Sequence, residues 1–231
     1  MKLAAESEPA FRWHALTALA SIDSKPAFQA LFDLFDVQSE ETRYGAFRAL
    51  QACRPDDHRI KGKLLADEYH FHEIPSKGPG LVHFARTKRP EIVVFGSTDR
   101  VADDFIFVEP GLTAKAVDKS RVKITRFDPL EGQVELYCSS RIADLVTTLA
   151  RFGIDYTTML EMCREADRSG TLNSRLVIDA VPSIGSKSLA ESDEDQQTAK
   201  SEKYIASPIP DLFADLQPEE PEATTTAEEL P

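Results

Sequence analysis

The sequence predicts an α+β protein: a short α-helical solenoid, then a mostly antiparallel β-rich domain with a helical hairpin, then a disordered acidic tail. Three observations predict this fold. A helical motif is repeated near the N-terminus, the apolar period changes from that of a helix to that of a strand near Tyr69, and the composition becomes polar beyond Gly185. The predicted boundaries are 1–66 for the helical repeats, 67–185 for the α+β domain and 186–231 for the tail.

The two copies of the helical motif are offset by 31 residues. The aligned pairs are Arg12 with Arg43, Trp13 with Tyr44, Ala15 with Ala46, Leu16 with Phe47 and Leu19 with Leu50. In both copies the apolar residues recur at helical spacing, so each copy buries one stripe. A self-similar period of this length is typical of a helical solenoid, a class of protein that binds or scaffolds other proteins.

Between the two copies, Ser24 is predicted to cap a second helix with Pro26 in its first turn. Asp36 then lies in the turn before the third helix. The Asp turn, the Arg in the first helical turn and the Ala-x-x-Ala-Leu spine of residues 42–53 resemble the HEAT-like repeat family. In that family the Asp and the Arg often bridge adjacent repeats, so the resemblance assigns such a link to Asp36 and Arg43.

Two repeats are fewer than the number a solenoid normally needs, which is about three. We therefore expect one of two arrangements: the repeats dock onto the following domain, or the chain is the C-terminal part of a longer protein. In either case the outer side of the first repeat should face a partner. Arg12 and Trp13 are the residues we predict for that partner-binding surface.

The β-rich region is predicted from short runs of Val, Ile, Phe and Tyr separated by Pro and Gly. The runs are 69–74, 81–86, 91–96, 103–109, 112–117, 121–127 and 134–139. A helix that ends at Gly153 and a second helix capped by Asp155 form the predicted hairpin, and residues 174–181 form a last strand. The last strand should pair with the sheet that precedes the hairpin.

The net charge of −12 is concentrated in the tail. Residues 186–231 carry three lysines against twelve Asp and Glu, which leaves a charge of −3 for residues 1–185. A region so close to neutral exerts no long-range attraction on nucleic acid or anionic lipid, although it is compatible with a local basic patch. One apolar island in the tail has the spacing of a helix that folds into a partner's groove or packs on the protein's own surface: Ile209, Leu212, Phe213 and Leu216.

Three histidines are the candidates for metal binding. His70 and His72 share one face of a predicted strand, and His83 lies on another. Two imidazoles so placed could bind zinc together with a third ligand. The sequence fixes no third ligand, and paired histidines are also common on edge strands, so we expect no metal site.

The sequence contains none of the motifs that carry catalysis. It has no G-x-S-x-G, no G-x-G-x-x-G, no phosphate-binding loop and no Cys with a motif-placed His. Cys53, Cys138 and Cys163 lack metal-binding spacing and are predicted to be buried thiols. We therefore expect no catalytic residues, no cofactor and no enzyme activity.

The predicted hairpin also resembles a DNA-binding helix-turn-helix, because a Gly-Ile turn at Gly153 separates its two helices. Acidic residues such as Glu161 and Glu165 make the second helix a poor surface for a polyanion. We expect a plain helical hairpin packed on a sheet. The alternative is a cytoplasmic regulatory or adaptor module that binds DNA or a protein partner through residues 140–168.

Residues 74–96, with Pro-Ser-Lys-Gly-Pro-Gly near their start, and residues 174–182 resemble a HEAT-containing C-terminal extension of some bacterial flagellar basal-body P-ring proteins. The resemblance implies a non-catalytic structural protein, a component of or accessory to that ring, with basal-body subunits as partners and a capacity to form homo-oligomers. It implies the periplasm. The chain taken alone has no apolar secretory segment, which predicts the cytoplasm, and no apolar run that predicts membrane insertion.

Overall fold

The computed structural model describes residues 9–86, 89–96, 98–128, 130 and 132–179. The first part of the chain is helical: α1 (Pro9–Ser21), α2 (Lys25–Asp33), a 3₁₀ turn (Leu34–Asp36) and α3 (Glu40–Cys53). The strands come next: β1 (Lys63–Leu65), β2 (Tyr69–Ile74), β3 (Leu81–Ala85), β4 (Glu91–Phe95), β5 (Ile106–Glu109), β6 (Leu112–Asp118), β7 (Arg121–Asp128) and β8 (Gly132–Ser139). The hairpin helices α4 (Ile142–Arg151) and α5 (Tyr156–Arg168) precede the last strand, β9 (Arg175–Ile178).

Two sheets make up the β-rich region. A five-stranded sheet has the order β1-β2-β4-β3-β9, and a four-stranded antiparallel sheet has the order β5-β6-β7-β8. In the five-stranded sheet, β4 lies between β2 and β3, the two strands that precede it in sequence. The pairs β2·β4 and β3·β9 are parallel, so this sheet is mixed.

The five-stranded sheet is the middle layer of three. Its strands β3 and β4 are buried along their whole length. Successive residues of β4 face opposite layers: Val93 and Phe95 pack with α1, α2 and α3, whereas Ile92 and Val94 pack with α4, α5 and the four-stranded sheet. Among the described residues, two hydrophobic clusters therefore lie on opposite sides of this sheet.

The predicted helical solenoid is wrong. In the described part of the chain, α1, α2 and α3 form one layer that packs on the sheet, and they do not stack as successive repeats. Leu16, Phe47 and Leu50 are fully buried in one cluster with Ile74 and Phe95 of the sheet. The repeated motif arises because α1 and α3 bury equivalent stripes in a common core. The α+β class holds, and the helices dock on the region that follows them.

Local capping signals predicted the starts of α2 and α5 correctly, whereas α4 is capped by Arg141 without a side-chain hydrogen bond and not by the serines before it. The Ser24 hydroxyl accepts a hydrogen bond from the Ala27 amide at 3.3 Å and caps α2. The Asp155 carboxylate accepts one from the Thr158 amide at 2.7 Å and caps α5. These bonds satisfy amides that the first helical turn leaves without a backbone partner.

We expect the helical layer to be required for the β-rich region to fold. Removal of residues 1–61 uncovers the sheet face that carries Ile74, Val93 and Phe95, which exposes a large apolar surface to water. A chain of residues 62–185 should aggregate or unfold without a cooperative transition on heating. Circular dichroism and light scattering measure this, with the full-length chain as the control.

A soluble, monomeric fragment that unfolds cooperatively would contradict this expectation. It would instead support residues 67–185 as an independent domain, and the predicted boundary between 66 and 67 stays a prediction until then.

Candidate functional site

Arg12 joins α1 to the start of α3. Its guanidinium donates to the Ser39 hydroxyl at 3.0 Å and pairs with the Glu41 carboxylate at 2.8 Å. Trp13, the adjacent residue, is half-buried against the cluster between the helices and the sheet, and its ring meets that of His14 edge to face at 5.1 Å. Both residues predicted for the first-repeat surface therefore contact the helical layer itself.

Asp36 and Arg43 hold one loop of the β-rich region, the loop between β2 and β3. The Asp36 carboxylate accepts from the Lys77 amide at 2.7 Å. Arg43 donates to the Pro79 carbonyl at 2.6 Å and to the Ser76 hydroxyl at 3.1 Å. Burial lowers the pKa of Arg43, and the nearby Asp36 carboxylate opposes that shift. The two residues link the helical layer to the loop between β2 and β3. A bridge between repeats by these two residues stays a prediction.

The four tail residues predicted to dock into a partner's groove lie outside the described residues: Ile209, Leu212, Phe213 and Leu216. Their role stays a prediction.

The three candidate histidines lie on the face of the five-stranded sheet that α3 covers. His72 and His83 are aligned with Val93 on either side of β4, so two strand spacings, roughly 9.5 Å, separate them. The His70 and His72 ring centroids are 6.4 Å apart. Within the described residues, no group of three or more His, Cys, Asp or Glu is arranged to hold a metal ion.

A buried carboxylate, Glu91, is the centre of a polar cluster beneath α3. The Tyr44 hydroxyl donates to its Oε1 at 2.5 Å. The Arg48 guanidinium lies 3.8 Å from the same oxygen, and His72 Nε2 lies 3.8 Å from Oε2. The His83 ring stacks on the Tyr44 ring at 3.7 Å. A buried carboxylate is stable only when hydrogen-bonding and charged partners compensate its lost hydration. Glu91 on the sheet therefore depends on the side chains that α3 supplies.

His72 is held as a neutral ring. Its Nδ1 lies 2.8 Å from the Ile60 carbonyl oxygen, and a carbonyl only accepts, so Nδ1 carries the proton. Burial lowers the pKa of His72 from its usual value. Its buried Nε2 has no hydrogen-bond partner among the described residues. A Cβ at Gly62 would lie 2.3 Å from His72 Cε1, so the chain needs glycine where it crosses this ring.

A cleft of about 350 Å³ lies beside the polar cluster, between the end of α3, the following loop and the sheet. We call it the basic cleft. Its lining residues are Arg48, Gln51, Ala52, Pro55, Lys61, Gly62, His70, His72 and Arg89. None of these nine residues is a carboxylate.

The outer face of the four-stranded sheet carries several exposed apolar side chains among polar ones. We define this outer face by five residues, whose exposed fractions are Ile106 50%, Val108 61%, Val117 52%, Phe127 65% and Tyr137 56%. The residues that alternate with them, such as Phe107 and Ile124, are buried in the core. The buried inner residues therefore fix the strands that present these exposed apolar side chains to water.

The hairpin helices contribute their apolar faces to the core. Residues such as Leu145, Val146 and Met159 are fully buried there. On the other side of α5, the Arg164 guanidinium pairs with the Glu161 carboxylate at 2.7 Å. The structure thus shows a helical hairpin packed on the sheets, and DNA or partner binding by residues 140–168 stays a prediction.

Burial raises the pKa of all three thiols, Cys53 included, which keeps them protonated at neutral pH. It raises the pKa of Cys138 to about 11 and that of Cys163 to about 12. All three cysteines are free. Neither Cys138 nor Cys163 has the lowered pKa of a nucleophilic cysteine.

The chain matches no protein-family model, no curated protein and no solved structure. The resemblances to HEAT-like repeats and to the P-ring extension therefore stay predictions. No helix in the described ranges is long and apolar enough to cross a lipid bilayer.

The polar cluster and the outer face were not predicted from the sequence. Glu91 stands at the start of the apolar run Glu91-Ile-Val-Val-Phe95, and an acid inside a fully buried strand signals a buried polar contact. Nothing local to Glu91 indicates that Tyr44 is its partner, because 47 residues separate the two.

We expect stability to depend on the protonation of His72. In the unfolded chain the His72 imidazole has a pKa of about 6.5, and folding lowers that pKa. Below about pH 6.5 the unfolded chain therefore binds this proton more readily than the folded chain does, so acidification favours unfolding. The free energy of unfolding should fall by up to about 1.4 kcal/mol per pH unit as the pH drops below about 6.5. Urea denaturation at pH 7 and at pH 5.5 measures the change.

His72→Gln should flatten this pH dependence, and His70→Gln, a change at the partly exposed neighbour, should leave most of it in place, because burial is the main cause of the lowered His72 pKa. Equal pH dependence in His72→Gln and the natural chain would contradict the assignment.

Proposed function

We propose that the protein is a non-catalytic structural module that binds a protein partner through the outer face of the four-stranded sheet. The observation that carries this proposal is the concentration of exposed apolar side chains on one side of that sheet, where Val108, Phe127 and Tyr137 are each more than half exposed. Exposed apolar side chains grouped on one face of a sheet are costly in water and are found at interaction sites.

The outer face has the chemistry of a protein interface. It combines aromatic and β-branched side chains with polar groups on the central strands, such as Lys115 and the Lys123–Glu135 ion pair at 2.7 Å. Interfaces between proteins combine apolar and polar side chains in this way. The sheet behind it is closely packed, so little conformational entropy is lost when a partner binds.

We propose further that the partner is a subunit of a ring-shaped assembly, the bacterial flagellar basal-body P ring, to which the protein is a component or an accessory. The support is the resemblance of residues 74–96 and 174–182 to the P-ring extension. These residues include β3, β4 and β9, which lie in the five-stranded sheet. The outer face belongs to the other sheet and is free to contact a ring subunit.

The double variant Val108→Thr, Phe127→Thr tests the outer face. Threonine keeps strand propensity and removes apolar surface, so the fold should persist while partner affinity falls at least about tenfold. Calorimetric titration against the purified P-ring protein of the same organism measures the affinity, and sedimentation velocity measures self-association. Thermal unfolding checks that the variant is folded.

The matched control is Ile22→Thr, Leu64→Thr, which changes two residues of comparable exposure, one directly after α1 and one in β1. It should bind the P-ring protein with unchanged affinity. Unchanged binding by the outer-face variant would remove the outer face from the proposal. Failure of the natural chain to bind the ring protein would remove the P-ring assignment.

A further inference from the structure

Each of the two sheets has two edge strands, and the strands at three of these four edges are short. They are β1, β5 and β9, with three, four and four residues. The fourth edge strand, β8, has eight residues and pairs with β7 alone within the described part of the chain. Short edge strands limit pairing with other chains, so β8 is the edge at which such pairing is least opposed.

The sequence of β8 also lacks the features that protect an edge strand. Its residues, Gly132–Ser139, include no proline, lysine or arginine, and its register with β7 has no bulge. Its single charge, on Glu135, is paired with Lys123 of β7 at 2.7 Å. By contrast, Lys63 lies in β1 and Arg175 lies in β9. The edge of β8 is therefore both long and unprotected.

The hydrogen bonds of the sheet show which backbone groups of β8 face the open edge. The Phe127 amide of β7 donates to the Gly111 carbonyl at 2.9 Å, so the backbone groups of Phe127 point toward β6 and away from β8. Phe127 and the residue aligned with it in β8, Gln133, are therefore a pair without mutual hydrogen bonds. This direction alternates along a strand, so the residues whose backbone groups point away from β7 are Gln133, Glu135, Tyr137 and Ser139.

Leu136 is an inward-facing residue that the core leaves partly uncovered. It is aligned with Ile124 of β7, which is fully buried, yet its own exposed fraction is 42%. The half-buried Val134 and Cys138 lie on the same side of β8. A further strand beside β8 would cover these side chains. The open edge thus offers apolar surface to bury as well as backbone groups to pair.

We propose that β8 pairs in antiparallel fashion with β8 of a second copy of this chain, about a two-fold axis at Leu136. Residues opposite each other in an antiparallel pair must both point toward the partner or both point away, so the axis has to pass through a residue. An axis at Glu135 or at Leu136 pairs nearly the whole strand. The axis at Glu135 would place that carboxylate directly opposite its own copy, which is destabilising.

A second copy fits this edge because β8 is complementary to itself in that register. Leu136 lies opposite its copy, Val134 lies opposite Cys138, and the outward backbone groups of Glu135 bond those of Tyr137. Apolar side chains therefore meet apolar ones on the inner side, and no like charges are directly opposite. The two four-stranded sheets become one sheet of eight strands, whose outer side joins the outer faces of both copies.

This inference does not rest on the proposed protein partner. Leu136 points to the buried side of the sheet, whereas the outer face is on the other side. The variant Val108→Thr, Phe127→Thr changes the outer face without touching β8, so it should dimerise as the natural chain does. Failure of the partner proposal and failure of the dimer are therefore distinguishable.

Sedimentation velocity of the full chain, from low to high micromolar concentration, tests the dimer. We expect a monomer–dimer equilibrium. Leu136→Lys places two ammonium groups opposite each other and should weaken dimerisation at least about tenfold. The matched control, Leu64→Lys, changes a leucine of comparable exposure, 52%, in the edge strand β1 and should dimerise as the natural chain does. Thermal unfolding checks that both variants are folded.

A natural chain that stays monomeric over this range would overturn the proposal, as would unchanged dimerisation of Leu136→Lys. Equal loss of dimerisation in Leu64→Lys would attribute the effect to added charge and would also overturn it.

Disulfide formation tests the register without adding charge. In a chain that carries Cys138→Ser, Leu136→Cys should form an intermolecular disulfide on mild oxidation, because opposite residues in a pair of this kind have Cα atoms about 4.5 Å apart. Val134→Cys should not, since its copy lies four residues further along the partner strand, roughly 14 Å away. Non-reducing gel electrophoresis compares the two, with Cys138→Ser alone as the control. Equal disulfide formation at both positions, or none at Leu136→Cys, would overturn the proposed pairing.

Discussion

The five-stranded sheet needs a cover on both faces, and most of the architecture follows from that constraint. Its central strands are apolar at successive positions, so each face removes large apolar side chains from water. The helices α1, α2 and α3 cover one face, and the hairpin and the four-stranded sheet cover the other. Three short helices that could not form a stable solenoid by themselves are stable here because the sheet completes their core.

Polar contacts decide how the helical layer sits on the sheet. Apolar burial is not directional, whereas the Tyr44–Glu91 hydrogen bond and the Arg43 bonds to the loop between β2 and β3 require particular atoms of α3 to meet particular atoms of the β-rich region. The buried carboxylate also lies 3.8 Å from Arg48, which lines the basic cleft. Glu91 therefore takes part both in the contact between α3 and the sheet and in the surroundings of the basic cleft.

The sequence predicted local structure better than the arrangement of its parts. The bounds of β2 and the caps Ser24 and Asp155 follow from alternation and from side chains that bond their own helix, which are properties of neighbouring residues. The solenoid prediction failed because Arg12 and Arg43 occupy equivalent positions in two helices that share one core, and periodicity cannot distinguish a shared core from a stack.

The sites depend on contacts between distant residues. Tyr44 and Glu91, or Arg48 and Arg89, come together only once the order of strands is known. No single segment of the sequence shows that β4 lies between β2 and β3. The outer face is easier to predict than the polar cluster, because alternation in β5 to β8 places Val108 and Phe127 on the same side of the sheet. Alternation does not show which side of the sheet the rest of the protein covers.

The pairing of β9 with β3 has a consequence for biosynthesis. Leu81 is aligned with Arg175, so β3 can pair with β9 only after nearly the whole described chain has been synthesised. Until then a buried strand of the mature protein has an open edge, which is a template for pairing with other chains. The nascent protein thus passes through a stage in which the growing sheet is most exposed to intermolecular association, and β9 ends that stage.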